Sequence, residues 1–249
     1  LKIGVALHSL RAVPEATLKA LLPQLAGQDL PIHIHIAEQM AEVRECEAVR
    51  GARPVQWLLD NADVDARWCL VHATHMTGKE TRALAKTKAV VAICPTTEAN
   101  LGDGMFPLAD FLKAKGRISI GSDSNVSVSV AEELRWLEYG QRLATQRRNI
   151  ASAAGVASVG ETLLRGVRAS AADSTGFDDR EDHVVLDADA PILAGATEDD
   201  VVDRWIFSGN RPLVRDVTVA GVRVVEDGHH RYREAIATRY REAMRQLLA

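Results

Sequence analysis

The chain has 249 residues, a formal net charge of −4 and 47% hydrophobic residues, so it is long enough for one large globular domain or a domain with an appendage. Its mild acidity gives no reason to expect nucleic acid as a partner. No apolar run reaches the roughly 18–20 residues of a membrane span, so no membrane partner is expected either.

Strands and helices are predicted to alternate up to about residue 172. Short apolar runs predict strands at residues 2–8, 32–36, 67–72, 89–94 and 118–122. Helices are predicted at residues 15–26, 42–50, 55–61, 79–85, 110–115, 131–147 and 158–172, and residues 96–104 are predicted to be a Gly-rich loop. This alternation with short connections predicts a parallel sheet with helices outside it.

The predicted strand number leaves the type of sheet open. Five strands are too few for a closed eight-stranded barrel. A doubly wound sheet fits the number, but its first βα turn usually carries a Gly-rich phosphate loop. Residues 2–14, KIGVALHSLRAVP, contain no such loop.

The character of the sequence changes after Phe177, where an acidic stretch begins. Further short strands are predicted at residues 183–186, 201–207, 216–220 and 222–226, followed by an Arg-rich amphipathic helix at 232–248. We therefore divide the chain into residues 1–176 and residues 177–249.

The segment Pro31–Gln39, PIHIHIAEQ, has the highest density of reactive side chains. In a strand, His33 and His35 point to one face and the three isoleucines to the other. Glu38 follows in the next loop. Because a single histidine on an apolar strand is more often a hydrogen-bonded core residue, we interpret His33 in that way, and His75 as a loop residue.

Four polar residues fall at the carboxyl ends of four different predicted strands: His8, His35, His72 and Asp123. In parallel α/β folds that edge of the sheet carries the active site. Imidazoles and a carboxylate at this edge are the groups that metal-assisted hydrolysis requires.

These residues resemble the second half of the amidohydrolase superfamily, in its aminohydrolase (deaminase) branch. The resemblance rests on the HxxE pair His35 and Glu38, on His72 in LVHATH, on Asp123 in IGSDS and on residues 94–104, CPTTEANLGDG. The segments LHSLRAV, HIHIAEQ, GSDSNVSVS, EELRWLEYGQRL and DRWIFSGN together resemble more specifically the formimidoylglutamate deiminases of histidine degradation.

The resemblance implies an α/β fold in which residues 1–176 form the C-terminal part, about strands four to eight, of a (β/α)8 TIM barrel. Residues 177–249 would form part of a small β-sandwich domain and a C-terminal helix. The superfamily's first-strand HxH pair has no counterpart here. We therefore expect a C-terminal fragment that is inactive alone, with the N-terminal half of the barrel located elsewhere.

The resemblance also implies roles for individual residues. His35 and Asp123 would bind one divalent metal, zinc first, although iron, nickel and manganese suit the same donors. Glu38 would shuttle protons, His72 would polarise the attacking water or the substrate nitrogen, and Asp123 would act as general base. The reaction would be hydrolysis of N-formimidoyl-L-glutamate to N-formyl-L-glutamate and ammonia.

The substrate of that reaction carries two carboxylates, and Arg11 is a suitable bidentate partner for one of them, with His8 beside it. A solvated loop residue is the alternative for Arg11.

Two alternatives remain for the whole chain: a purine or pterin aminohydrolase, or an inactive fragment that serves as an interaction module. We further expect a homodimer and, because the three cysteines are widely spaced, reduced thiols in the cytoplasm.

Overall fold

The computed structural model describes residues 3–153, 155–156, 158–177 and 181–249. Lys2 of the first predicted strand and residues 178–180 of the acidic stretch therefore lie outside the described residues. The chain divides into two compact units, Leu1–Phe177 and Asp178–Ala249.

The first unit contains a five-stranded, all-parallel sheet in the order β1-β2-β3-β4-β5. Its strands are β1 (Val5–Ser9), β2 (Ile32–Ile36), β3 (Trp68–His72), β4 (Val90–Ile93) and β5 (Arg117–Ile120). Each strand pairs with the next in sequence, and right-handed crossovers that all step in one direction place their helices on one face. A doubly wound sheet instead reverses its strand order at a switch point.

Eight helices are described in this unit: α1 (Glu15–Leu25), α2 (Met40–Arg50), α3 (Pro54–Asn61), α4 (Gly78–Thr87), α5 (Pro95–Leu101), α6 (Leu108–Lys113), α7 (Val130–Thr145) and α8 (Val159–Thr175). The isoleucines of β2 are buried and its histidines half-buried, which confirms the predicted alternation. Among the described residues, no helix is both long and apolar enough to cross a membrane.

Helix α5 corrects the prediction of a loop at residues 96–104. Pro95 occupies the first turn, where its missing N–H and fixed φ are favourable. The helix ends at Gly102, which adopts a left-handed conformation with φ 71°. The glycines that suggested a loop therefore lie at the end of a short helix, and only the residues after Leu101 are non-helical.

The second unit contains a four-stranded antiparallel sheet in the order β6-β7-β8-β9. Its elements are β6 (His183–Leu186), a 3-10 turn (Pro191–Leu193), α9 (Val201–Phe207), β7 (Val214–Val219), β8 (Val222–Glu226), β9 (His229–His230) and α10 (Arg233–Leu247). A small core of Ala190, Leu193 and Leu213 packs against Leu186, Val201 and Trp205.

The prediction of a strand at residues 201–207 was wrong, because this segment is helix α9. Its β-branched and aromatic residues suggested a strand. However, Val201 and Trp205 are four residues apart and pack on the same small core, which is the spacing of a helix face. Asp200 supports the first turn by accepting from the Thr197 N–H at 2.7 Å and from Arg204 Nε at 2.8 Å.

We predict that Ile34→Ala lowers the free energy of unfolding by about 2–5 kcal/mol, because Ile34 is 1% exposed and its truncation leaves a cavity under the helices. Ile3→Ala is the matched control, since Ile3 is 74% exposed and its loss should cost less than about 0.5 kcal/mol. Urea unfolding curves measure both values. Equal costs for the two variants would contradict this description of the core.

Candidate active site

Left-handed backbone at residues other than glycine marks the carboxyl ends of four parallel strands. His8 in β1 and Ala37 after β2 have φ 50°, His72 at the end of β3 has φ 70°, and Asp123 after β5 has φ 42°. Each such residue costs of the order of 1–3 kcal/mol and persists only where its surroundings impose it. Strain of this kind clusters at active sites, and three of these four residues, His8, His72 and Asp123, are ones that the sequence predicted for the site.

His35 is oriented by the main chain of β1. Its Nδ1 lies 2.9 Å from the carbonyl oxygen of His8, which only accepts, so Nδ1 carries the proton. A register shift between Ala6 and Ser9 interrupts the pairing of β1 with β2 next to this carbonyl. The Nε2 lone pair of His35 is consequently free to bind a metal, with the orienting contact that metal-binding histidines usually have.

His72 lies at the centre of the site and is 1% exposed. Its Nδ1 is 3.2 Å from Glu98 Oε1, and its Nε2 is 3.7 Å from Glu38 Oε1 and 3.9 Å from Asp123 Oδ2. Burial alone would lower the pKa of His72. The hydrogen bond to Glu98 and the surrounding carboxylates outweigh burial, so the pKa of His72 is raised above its usual value.

Glu38 is a partly buried carboxyl group beside His72. Burial raises the pKa of Glu38, the neighbouring carboxylates of Asp103 and Asp123 add to this effect, and the His72 charge opposes it. A raised pKa brings the carboxyl group closer to the range in which it can both take up and return a proton near neutral pH.

The loop that carries Glu38 is held by a buried carboxylate, Glu42, which is 2% exposed. Glu42 Oε1 accepts from the Ala37 N–H and Oε2 accepts from the Glu38 N–H, both at 2.9 Å. The two oxygens thus satisfy two main-chain donors in the strained turn after β2.

Helix α5 connects the ends of β4 and β5. Thr97 Oγ1 accepts from the Ser124 N–H at 3.2 Å and shares a 2.9 Å hydrogen bond with Ser124 Oγ, next to Asp123. Glu133 on α7 accepts from the Thr96 N–H at 3.0 Å and from Thr96 Oγ1 at 2.6 Å. The Thr97 contacts link α5 to the Asp123 loop, and the Glu133 contacts link Thr96 to α7.

The donor atoms at the sheet edge fit a divalent metal. One nitrogen of His72, one oxygen of Asp123 and the Cys94 thiol all lie within 4.8 Å of one another. Burial strongly raises the pKa of the Cys94 thiol in the absence of a cation. The imidazole nitrogen and the carboxylate oxygen are donors that suit zinc, iron, nickel and manganese.

His33 and His75 have main-chain carbonyl partners. His33 Nε2 donates to the carbonyl oxygen of Ser174 in α8 at 2.6 Å. His75 Nε2 donates to the carbonyl oxygen of Asp103 at 2.7 Å. Both contacts are structural, and neither ring belongs to the group around His72.

The two predicted substrate-binding residues lie at the end of β1 and beyond it. The exposed ring of His8 is 5.5 Å from that of His35, whereas the Arg11 side chain is exposed in the following loop. Within the described part of the chain, no hydrogen bond or ion pair joins Arg11 to the group around His72. Arg50 donates to the carbonyls of Leu10 and Val13, on either side of Arg11, at 2.8 and 3.2 Å.

Sequence reasoning missed Glu42 and Glu98. Glu42 is the third residue of α2 after its N-cap Gln39, the position at which a glutamate commonly turns back to main-chain N–H groups. Glu98 lies in the first turn of α5 after Pro95, where an acidic residue is also favoured. Both signals can be recognised only when the first residue of each helix is known.

Comparison with known proteins gives consistent matches. The amidohydrolase family model matches residues 1–209. The formimidoylglutamate deiminase of Pseudomonas aeruginosa is 48% identical over 254 residues, a match that covers 99% of this chain and 56% of the relative. The chain thus spans little more than half the length of this curated relative.

Solved structures agree with the fold. The crystal structure of an amidohydrolase from Brucella melitensis has a TM-score of 0.93 and 46% identity, and the match covers 99% of this chain and 55% of that one. An adenosine deaminase from Xanthomonas campestris with bound zinc has a TM-score of 0.83 and 23% identity, and the match covers 98% of this chain and 57% of that one.

We predict that Glu42→Gln lowers the free energy of unfolding by about 1–3 kcal/mol, because an amide NH2 replaces one acceptor and leaves a buried main-chain N–H unpaired. Glu45→Gln, on the exposed side of the same helix, is the control and should change stability by less than about 0.5 kcal/mol. Chemical denaturation measures both. If Glu42→Gln changed the free energy of unfolding no more than the control, the stabilising role of the two hydrogen bonds to Glu42 would be refuted.

Proposed function

Because the chain belongs to the amidohydrolase family, we propose that it forms part of a metal-dependent deaminase that hydrolyses N-formimidoyl-L-glutamate to N-formyl-L-glutamate and ammonia. The observation that carries this proposal is the convergence of His35, Glu38, His72 and Asp123 at one sheet edge. The Pseudomonas aeruginosa deiminase supports the choice of substrate. Since the chain spans 56% of that relative, the activity is proposed for the whole enzyme.

His35 and Asp123 are the proposed ligands of one divalent metal, zinc first, with iron, nickel and manganese as alternatives. When bound, the cation would act as a Lewis acid and make water a better nucleophile near neutral pH. The zinc in the Xanthomonas campestris structure supports this choice. A catalytic zinc site has three protein ligands, so we propose that further donors come from the N-terminal half of the barrel, outside these 249 residues.

The chain's own residues would divide the proton transfers. Water adds to the formimidoyl carbon, and Asp123 would accept its proton as general base. Glu38 would give a proton to the formimidoyl nitrogen as water adds, a task supported by the raised pKa of Glu38. Glu38 would then take the remaining hydroxyl proton of the adduct while the proton held by Asp123 passes to the same nitrogen. The C–N bond breaks, ammonia leaves, and both carboxyl groups return to their starting states. His72 Nε2 faces both carboxylates and would orient the water or the substrate nitrogen between them.

The two carboxylates of the substrate require cationic partners, and Arg11 is the proposed one, with His8 beside it. The exposure of both side chains at the end of β1 supports this, because a bound substrate can reach them. The hydrogen bonds from Arg50 on either side of Arg11 would hold the loop in place for binding.

The sheet order supports a finer proposal for the fold. We propose that β1–β5, in residues 1–176, are strands four to eight of a (β/α)8 barrel, because consecutive parallel order with helices on one face is the arrangement that closes. The antiparallel sheet in residues 177–249 would belong to a small β-sandwich. Homodimerisation and a cytoplasmic location stay proposals, the latter supported by three free cysteines.

A purine-type deaminase is the second candidate, favoured by the fold shared with the Xanthomonas campestris adenosine deaminase. We predict that the enzyme containing this chain releases ammonia from N-formimidoyl-L-glutamate and not from adenosine. Arg11→Ala should lower kcat/KM for the former by about 30-fold or more, because losing a charged partner of a carboxylate costs about 2 kcal/mol or more.

Arg44→Ala, which removes an exposed arginine from α2, is the control and should leave kcat/KM unchanged. A coupled assay for ammonia measures all three enzymes. Preference for adenosine, or full activity of Arg11→Ala, would contradict the glutamate-derived substrate.

For the metal, we predict that His35→Ala weakens binding by more than about 100-fold, since even partners of a ligand contribute 10–100-fold. His33→Ala is the matched control on the same strand and the same face, and it should keep the metal because His33 is engaged with Ser174. Elemental analysis of the purified enzymes measures bound metal. Wild-type enzyme without metal would instead favour the non-catalytic interaction module.

A further inference from the structure

Glu98 is a buried carboxylate for which the proposed mechanism has no task. Its side chain lies on α5, is 4% exposed and contacts His72 at the end of β3. We propose that Glu98 is a positioning residue that holds the Nδ1 proton of His72 and thereby keeps Nε2 directed at the space between Glu38 and Asp123. The role of His72 in the reaction rests on the proposed function, whereas the hydrogen bond itself does not.

The direction of this hydrogen bond follows from the partners of Glu98 Oε1. The same oxygen accepts from the Cys94 N–H at 2.9 Å and lies 3.2 Å from His72 Nδ1. A carboxylate only accepts hydrogen bonds, so Nδ1 must be the protonated nitrogen. The opposite tautomer would place the Nδ1 lone pair against Glu98, with nothing to donate.

The other nitrogen of His72 is left available to the reactants. Nε2 is 3.7 Å from Glu38 and 3.9 Å from Asp123, and both distances exceed hydrogen-bond length. A water molecule or a substrate nitrogen lying between these groups can therefore contact Nε2. Because the ring is 1% exposed, the hydrogen bond that Nδ1 donates to Glu98 sets its rotation.

Glu98 also anchors the main chain at Cys94, so a loss of activity alone would not separate positioning from folding. Glu133 provides a matched control. It is a carboxylate of similar burial, 2% exposed, that anchors the neighbouring residue Thr96 in the same turn. Its described hydrogen bonds go to Thr96 and not to His72, so only the anchoring function is common to both glutamates.

The conservative variant is Glu98→Gln. Its amide oxygen can accept from both donors, and the Cys94 N–H selects the orientation in which this oxygen replaces Oε1. Glu98→Leu has a similar size and no acceptor. Both variants remove the same charge, but only Glu98→Gln keeps an acceptor for the Nδ1 proton of His72. The proposal therefore predicts different kcat values for the two variants.

The experiment measures kinetics, thermal midpoints and imidazole ¹⁵N spectra for these variants in the enzyme that contains this chain. Glu98→Leu should lower kcat by about 10–100-fold, with KM changed less than about threefold, as for other residues that orient a catalytic group. The kcat of Glu98→Gln should be at least about tenfold higher than that of Glu98→Leu. Glu133→Leu should lower the thermal midpoint as Glu98→Leu does, while kcat stays within about threefold of wild type.

The spectra are recorded on metal-free enzyme without substrate, and a His72→Gln variant identifies the His72 signals. Wild type and Glu98→Gln should show a protonated Nδ1, and Glu98→Leu should show a shift towards protonated Nε2. An unprotonated Nδ1 in wild type, equal kcat for the two Glu98 variants, or an equal kcat loss in Glu133→Leu would overturn the proposal. Failure of wild type to deaminate formimidoylglutamate would refute the proposed function alone, since the spectra would still decide the tautomer.

Discussion

Buried carboxylates that accept hydrogen bonds from the main chain hold the carboxyl edge of this sheet in place. Two left-handed residues, Ala37 after β2 and His72 at the end of β3, have a conformation that is unfavourable in isolation. After β2, Glu42 compensates by accepting hydrogen bonds from two main-chain N–H groups. At the end of β3, Glu98 links His72 to the end of β4. These contacts restrain the turn that carries Glu38 and the ring of His72.

The same edge collects negative charge, and this has chemical consequences. Glu38, Glu98 and Asp123 surround one buried imidazole, with Glu98 buried, Glu38 partly buried and Asp123 open to solvent. Burial and mutual repulsion raise the pKa of Glu38, and the carboxylates raise the pKa of His72 against the effect of burial. A bound cation would relieve this repulsion, which is a further reason why the donor set suits a divalent metal.

Helix α5 has a larger role than its seven residues suggest. Its first turn contacts three separate elements: Glu98 reaches His72 on β3, Thr97 binds the loop after β5, and Thr96 is held by α7. The segment CPTTEANLGDG therefore acts as a connector between strand ends, although its glycines predicted a loop. The alternation of strands and helices explains why such a connector lies at the carboxyl edge, since every βα connection of a parallel sheet begins there.

The order of apolar runs along the sequence was enough to predict the five parallel strands, the burial of the isoleucines of β2 and the four strand ends with His8, His35, His72 and Asp123. These are local features, set by periodicity and by the residues that end each run. Periodicity and composition did not reveal helix α9, where packing on a small core outweighed β-branched composition. They also left open whether the sheet is singly or doubly wound, and only the family resemblance predicted the consecutive strand order. The sequence also did not reveal Glu42 or Glu98 as parts of the site. Only the tertiary structure decides those points, because a hydrogen bond between residues 72 and 98 depends on how two strands and a helix pack and leaves no periodic pattern in the chain.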